Sequence, residues 1–326
     1  MTTKVLVTRK IPEKPLRLLQ AQAEAEINLE DRALSTAEII ERLPGKEGLL
    51  AMSVDSITAD VLEAGGDLRI VANDAVGYNN IDLEAATRRK VAVTNTPEVL
   101  TETTADLALA LILGVARRLA EADRFVRAGK WTGWEPELLL GEDVHRKVLG
   151  IVGLGRIGAA VARRGLGFDM EVIYTDSRRA ERKLEERCRA EFVSLPDLLA
   201  RADFVTLHVP LAPETRHLIG PGELGRMKRS AFLINTSRGP VVDERALVAA
   251  LRQGTIAGAG LDVFEEEPRV PRELLAMENV LLLPHIASAT AATREKMALV
   301  AVENILAVLR GEAPPNLLNP EIYSSS

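Results

Sequence analysis

Val148-Leu149-Gly150-Ile151-Val152-Gly153-Leu154-Gly155-Arg156-Ile157-Gly158 decides the fold of this chain. An apolar run that predicts a strand feeds Gly-x-Gly-x-x-Gly, and Ala159-Ala160-Val161-Ala162 continues as a helix. Gly153 allows the tight turn, Gly155 lets the backbone approach a pyrophosphate, and Gly158 lets helix and strand pack closely. The helix start at Arg156 and Ile157 turns N–H groups toward the anion. The next strand pattern, Glu171-Val172-Ile173-Tyr174-Thr175, ends at Asp176, where a carboxylate can hydrogen-bond the ribose hydroxyls of NAD. Glycines alone would mark only a turn; strand, turn, helix and acidic strand end together point to a dinucleotide site. The motif starts near the middle of the chain, so a unit of similar size precedes it.

A length of 326 residues fits two domains of about 150 residues each. Before the glycine motif, short apolar runs at Val5–Thr8, Ala25–Leu29, Gly48–Met52, Leu68–Ala72 and Val91–Thr94 alternate with helical patterns. Ser35-Thr36-Ala37-Glu38 opens one helix as a capping box, and Asp82 stands before another. This alternation predicts a parallel sheet covered by helices on both faces. Thr101 to Ala128 reads as one long helix ending at Gly129, apolar nearly all round in its middle and therefore buried on more than one face. Further strands are expected near Val172, Phe192, Phe204–His208, Phe232–Asn235, Gly258–Leu261 and Val280–Leu283. A last helix runs from about Thr290 to Arg310 and stops at Gly311.

The net charge of −6 gives no electrostatic reason to expect nucleic acid. Leu107–Ala116, the most apolar stretch, is far short of the ~18 residues of a membrane span, and the start of the chain shows no signal-peptide pattern. One cysteine, Cys188, cannot form an intramolecular disulfide, and no Cys/His cluster offers a metal site. These features predict a cytoplasmic, metal-free protein.

Three strand ends in the second half carry groups suited to chemistry. Arg238 follows Leu233-Ile234-Asn235-Thr236-Ser237, Glu267 closes Glu265-Glu266-Glu267 after Leu261-Asp262-Val263-Phe264, and His285 follows Leu283-Pro284. Alone, the acidic run reads as a solvated loop and the histidine as structural. Their joint placement where open α/β sheets bind ligands predicts catalysis. His208, in Thr206-Leu207-His208-Val209-Pro210, is expected on the adenine side, and His145 and His217 at the surface.

The whole chain resembles the D-isomer-specific 2-hydroxyacid dehydrogenases. The resemblance rests on Ala75-Val76-Gly77-Tyr78-Asn79-Asn80-Ile81-Asp82, Asn95-Thr96-Pro97, Thr103-Thr104-Ala105-Asp106, the glycine motif, Asn235-Thr236-Ser237-Arg238-Gly239, Gly260-Leu261-Asp262-Val263-Phe264 with Glu267-Pro268, and Pro284-His285-Ile286. Asn79 stands where relatives often carry Asp. Trp131-Thr132-Gly133-Trp134 and His285-Ile286-Ala287-Ser288-Ala289-Thr290 are most similar to the glyoxylate and hydroxypyruvate reductases of that family. The resemblance implies two doubly wound parallel-sheet domains. A discontinuous flavodoxin-like substrate domain would take residues 1–99 and 288–326, and a Rossmann domain residues 100–287. It implies reduction of glyoxylate to glycolate and of hydroxypyruvate to D-glycerate, with Arg238, Glu267 and His285 catalytic. D-lactate, phosphoglycerate or formate specificity is the alternative within the family. From another class, an NAD-sensing co-repressor would need disordered partner-binding tails.

The same resemblance assigns Gly153, Gly155, Arg156, Ile157, Gly158, Asp176, Ser177, Arg178, Arg179, Thr104, His208, Pro210, Thr236, Ser237, Arg238, Asp262, His285 and Ala287 to the cofactor. It assigns Val76, Gly77 and Arg238 to a small 2-oxo or 2-hydroxy acid, and Met52, Ser53 and Trp134 are further expected substrate contacts. NAD(H) is favoured because Asp176 repels a 2′-phosphate, although Arg178 and Arg179 leave NADP(H) open. A homodimer through the region around residues 101–145 is implied. Trp131 and Trp134, the only tryptophans, lie on a glycine- and proline-broken segment and are expected to bury against something, Trp134 reaching toward an active-site mouth.

Overall fold

The computed structural model describes residues 3–30 and 32–323; Met1, Thr2, Asp31 and Ser324–Ser326 lie outside them. The chain divides into two compact units, residues 1–100 with 288–326 and residues 101–287. In the first, β1 (Lys4–Val7), β2 (Glu24–Ile27), β3 (Gly48–Ala51), β4 (Ile70–Asn73) and β5 (Ala92–Thr94) form a parallel sheet in the order β2-β1-β3-β4-β5. Alternate residues enter opposite layers. Leu6, Leu49, Val71 and Val93 join one core, while Val5, Leu50, Ile70 and Ala92 join another with the long helix Ala291–Leu309. Both layers are apolar because a parallel sheet is covered on both faces. Ser35 forms the expected capping box with Glu38, and Asp82 caps its helix through the Ala85 N–H.

The second unit holds β6 (Val148–Val152), β7 (Glu171–Thr175), β8 (Ala190–Phe192), β9 (Phe204–Leu207), β10 (Phe232–Asn235), β11 (Gly258–Leu261) and β12 (Val280–Leu282). Their order is β12-β11-β10-β9-β6-β7-β8, all parallel. Winding reverses between β6 and β9, which places a crevice at the carboxyl ends of those strands. The architecture is two doubly wound parallel α/β sheets.

Thr101 to Ala128 is not one helix. It breaks into Thr101–Ala116 and Leu119–Arg127, with Arg118 at φ 54° between them. The reason lies in a returning segment. The Glu142 N–H bonds the Ala116 carbonyl at 2.9 Å, and a Cβ on Gly141 would sit 2.3 Å from that oxygen. Arg118 then braces the corner by bonding Glu121 and the Leu140 carbonyl. The first segment is buried on many sides as its composition predicts, whereas no residue of the second is buried.

Candidate active site

At the carboxyl end of β6, Gly153 turns at φ +96°. A Cβ there would lie 2.9 Å from the His208 backbone beyond β9, a position and an approach that only glycine tolerates. The helix Arg156–Leu166 begins at Gly155 with no side-chain cap, and a Cβ on Gly155 would meet no atom within 4 Å. Bare backbone at the start of an eleven-residue helix, next to open space, fits a pyrophosphate. Asp176 does more than the sequence shows. Its Oδ2 accepts the Leu154 N–H at 2.9 Å and its Oδ1 the Ser177 N–H at 2.7 Å, so it also ties β7 to the glycine turn.

His208 follows β9 and its Nε2 lies 2.9 Å from the Thr206 hydroxyl. Burial pushes its pKa down to about 3, so it is neutral near pH 7 and cannot serve as an acid. Thr104 and Thr236 are buried, and the Thr236 hydroxyl has no hydrogen-bond partner among the described residues. Buried unpartnered hydroxyls are rare in a finished core and common where a ligand supplies the missing bond. Pro210 is exposed, and among the described residues Ser177 bonds its neighbour Asp176.

The three candidate catalytic groups come from adjacent strands. After β10, Asn235 Oδ1 accepts the Ser237 N–H and hydroxyl at 3.0 and 2.8 Å, while its Nδ2 donates to the Arg238 carbonyl at 3.0 Å. This shapes the turn that carries Arg238. The next residue presses on the loop beyond β11, since a Cβ on Gly239 would sit 1.9 Å from the Phe264 carbonyl. Only glycine brings the two loops this close. Arg238 is half-buried, and its charge favours ionised Glu267.

Glu267 Oε1 accepts the Phe264 N–H at 3.0 Å and Oε2 meets His285 Nδ1 at 2.8 Å. Burial pushes the Glu267 carboxyl up, but the His285 bond and charge, the Phe264 N–H and Arg238 outweigh it and hold it below its ordinary value. His285 sits at φ 55°, a strained conformation for a residue with a bulky ring. Asp262 holds it there. This buried carboxylate accepts the Ile286 and Ala287 N–H groups, both at 2.8 Å, and its own carbonyl takes the His285 N–H at 2.9 Å. Sequence reasoning placed Asp262 beside the cofactor and missed this clamp.

The acidic run divides its labour. Glu265 meets His217 Nε2 at 2.7 Å, Glu266 pairs with Arg269, and only Glu267 reaches His285. His217, expected to be a plain surface residue, is thus engaged, while His145 is largely exposed. Cys188 is buried and its thiol pKa is raised by that burial, as an inert structural thiol requires. Among the described residues no group of His, Cys, Asp and Glu could hold a metal ion.

The remaining expected substrate residues lie in the first unit. Met52 and Ser53 follow β3, and Val76 and Gly77 follow β4. The Val76 and Gly77 carbonyls accept Asn95 and Asn73 side-chain amides at 2.8 Å, while neither N–H enters a backbone hydrogen bond among the described residues. Trp131 is 59% exposed and Trp134 84%, so the expected burial is not met within one chain.

A family profile described as "D-isomer specific 2-hydroxyacid dehydrogenase, NAD binding domain" matches residues 109–287. A glyoxylate reductase of Korarchaeum cryptofilum is 53% identical, over 99% of this chain and 97% of its own. The crystal structure of a protein from Thermus thermophilus superposes with a TM-score of 0.91 at 48% identity, covering 97% of this chain and 100% of that one. An NADPH-dependent glyoxylate/hydroxypyruvate reductase from Sinorhizobium meliloti, solved with NADP and malonate, gives a TM-score of 0.87 at 34% identity, covering 98% of this chain and 97% of that one.

Proposed function

This chain belongs to the D-isomer-specific 2-hydroxyacid dehydrogenase family, and from that premise we propose that it is a nicotinamide-dependent reductase of glyoxylate and hydroxypyruvate. The observation that carries the reading is the 2.8 Å bond between Glu267 and His285 Nδ1, one strand away from Arg238. Because Nδ1 is taken, Nε2 is the nitrogen left to meet substrate. Arg238 grips the substrate carboxylate with its planar fork and polarises the carbonyl. His285, as imidazolium, gives a proton to the carbonyl oxygen, and Glu267 keeps the ring oriented. The dihydronicotinamide, when bound, supplies the hydride to the carbonyl carbon. In the oxidative direction neutral His285 takes the hydroxyl proton.

The helix start at Gly155 would hold the pyrophosphate, with Thr104, His208, Pro210, Thr236, Ser237, Asp262 and Ala287 along the rest of the cofactor. Asp176 would face the adenosine ribose and favour NAD(H) over NADP(H). The Val76 and Gly77 N–H groups, with Met52 and Ser53, would assist in holding the substrate carboxylate. A homodimer through residues 101–145 is supported by the exposed apolar set Leu119, Val126, Trp131, Trp134 and Leu140. Trp134 would then limit substrate size. No helix among the described residues is long and apolar enough to cross a membrane, and a cytoplasmic enzyme is the reading we adopt.

Steady-state rates with glyoxylate, hydroxypyruvate and pyruvate, each with NADH and NADPH, test this. Glyoxylate and hydroxypyruvate with NADH should give the highest kcat/KM. Faster turnover of pyruvate, or a tenfold preference for NADPH, would overturn the substrate or the Asp176 assignment respectively.

A further inference from the structure

Two consecutive arginines follow the strand end at Asp176, and the fold treats them differently. Arg178 is exposed and makes no ion pair among the described residues. Arg179 is clamped: Nε donates to Glu185 Oε1 at 2.9 Å and Nη2 to Oε2 at 3.0 Å. Its guanidinium carbon lies 6.0 Å from the centre of the Phe192 ring. Glu185 is in turn anchored in the sheet layer. The Tyr174 hydroxyl donates to Glu185 Oε1 at 2.6 Å and itself accepts the Ala180 N–H at 2.9 Å. Tyr174 is fully buried on β7 and the Glu185 side chain is only 11% exposed, while Arg179 remains 67% exposed. The carboxylate is the buried member of the pair and the guanidinium the exposed one.

We propose that Glu185 is a positioning residue for dinucleotide choice, withholding Arg179 from the 2′-phosphate of NADPH and so keeping the site selective for NAD(H). This rests on the reading that the ribose of the cofactor lies at the β7 strand end. A guanidinium binds a phosphate through the same two-pronged geometry it uses on a carboxylate, so the two anions compete for one fork. Asp176 already disfavours a 2′-phosphate by repulsion; Glu185 removes a neighbouring cation that could offset it. Arg182 is similarly paired, with Glu186 at 2.8 Å.

Glu185→Gln keeps the volume and an acceptor oxygen for the Tyr174 hydroxyl and removes only the charge that holds Arg179. Calorimetric titration of NADH and NADPH into the full-length protein should show NADPH bound about fivefold more tightly by Glu185→Gln, the most that an exposed ion pair withholds. NADH affinity should stay within about twofold, as should kcat with either cofactor. Adding Arg179→Ala to Glu185→Gln should erase the gain, and Arg179→Ala alone should leave both affinities unchanged. A gain that survives in the double variant would assign the effect to lost repulsion and overturn the proposal. So would no gain in Glu185→Gln, or a large loss of NADPH affinity in Arg179→Ala alone, which keeps the Tyr174 anchor intact. A wild type that binds neither dinucleotide would overturn the cofactor reading itself, before any variant is made.

Discussion

In the seven-stranded sheet the winding reverses between β6 and β9; in the five-stranded sheet it reverses between β1 and β3. Both reversals create a crevice at the strand ends. The residues placed there make opposite use of it. Beyond β6 stands bare glycine backbone at the start of a helix, with open space over Gly155. Beyond β1 and β3 a buried side chain ties the strand ends together, because the Asp55 carboxylate accepts the Thr8 hydroxyl at 2.5 Å and the Met52 N–H at 2.7 Å. Topology offers two crevices, and the side chains at their strand ends give them different tasks. Fold alone therefore does not locate chemistry.

The strongest way to break this comparison is His285→Gln. If the working site is on the seven-stranded unit, kcat should fall by about 10²–10⁴, the range for a general acid, while NADH still binds. Near wild-type turnover would remove His285 from the reaction.

Asp55→Ala probes this tie. It removes two hydrogen bonds to a buried carboxylate, leaving the Thr8 hydroxyl only the Leu50 carbonyl at 3.2 Å, so it should cost about 2–3 kcal/mol of stability and leave NADH affinity unchanged. Lost NADH binding in a folded variant would contradict a purely structural Asp55.

Asp74, just past β4, sharpens the contrast further. Burial pushes its pKa up to about 7 against the opposing charge of Arg294. The folded state therefore holds a proton that the unfolded chain has released between about pH 4 and 7, and stability is lost as pH rises through that window. The stability difference between Asp74→Asn and the parent should grow in favour of the variant by on the order of 2–3 kcal/mol between about pH 5 and pH 8, read as a Tm difference. A difference independent of pH would show that the carboxyl titrates normally.

The smallest effect belongs to Trp134→Ala. With the ring 84% exposed in one chain, its loss should change relative kcat/KM by about threefold, raising KM for glyoxylate and admitting branched 2-oxo acids. Unchanged ratios would leave Trp134 without a role in substrate choice.

What was legible in the sequence was what neighbouring residues decide. The glycine turn, the capping box at Ser35, the strand runs and the residues just past their ends are all local patterns. Contacts between distant segments were not legible. The break at Arg118 depends on Glu142 returning to the Ala116 carbonyl, and nothing in the apolar run at 107–116 announces it. The Asp262 clamp on residues 285–287, the Asp176 bond to Leu154 and the His217–Glu265 pair likewise need three-dimensional registration of separate loops. The exposure of both tryptophans, against the expected burial, is likewise decided by where their segment lies and not by its composition.

The central claim is that Glu267 works through His285. The imidazole that bonds Glu267, and helps hold its carboxyl below the ordinary value, carries the proton that reduction consumes. Reduction should therefore fail as pH rises, and the pH profile of kcat/KM for glyoxylate should be measured in wild type and Glu267→Gln. The account predicts that the alkaline limb moves to lower pH in the variant, which lacks the carboxylate beside the ring. A limb that stays in place or moves upward would contradict it.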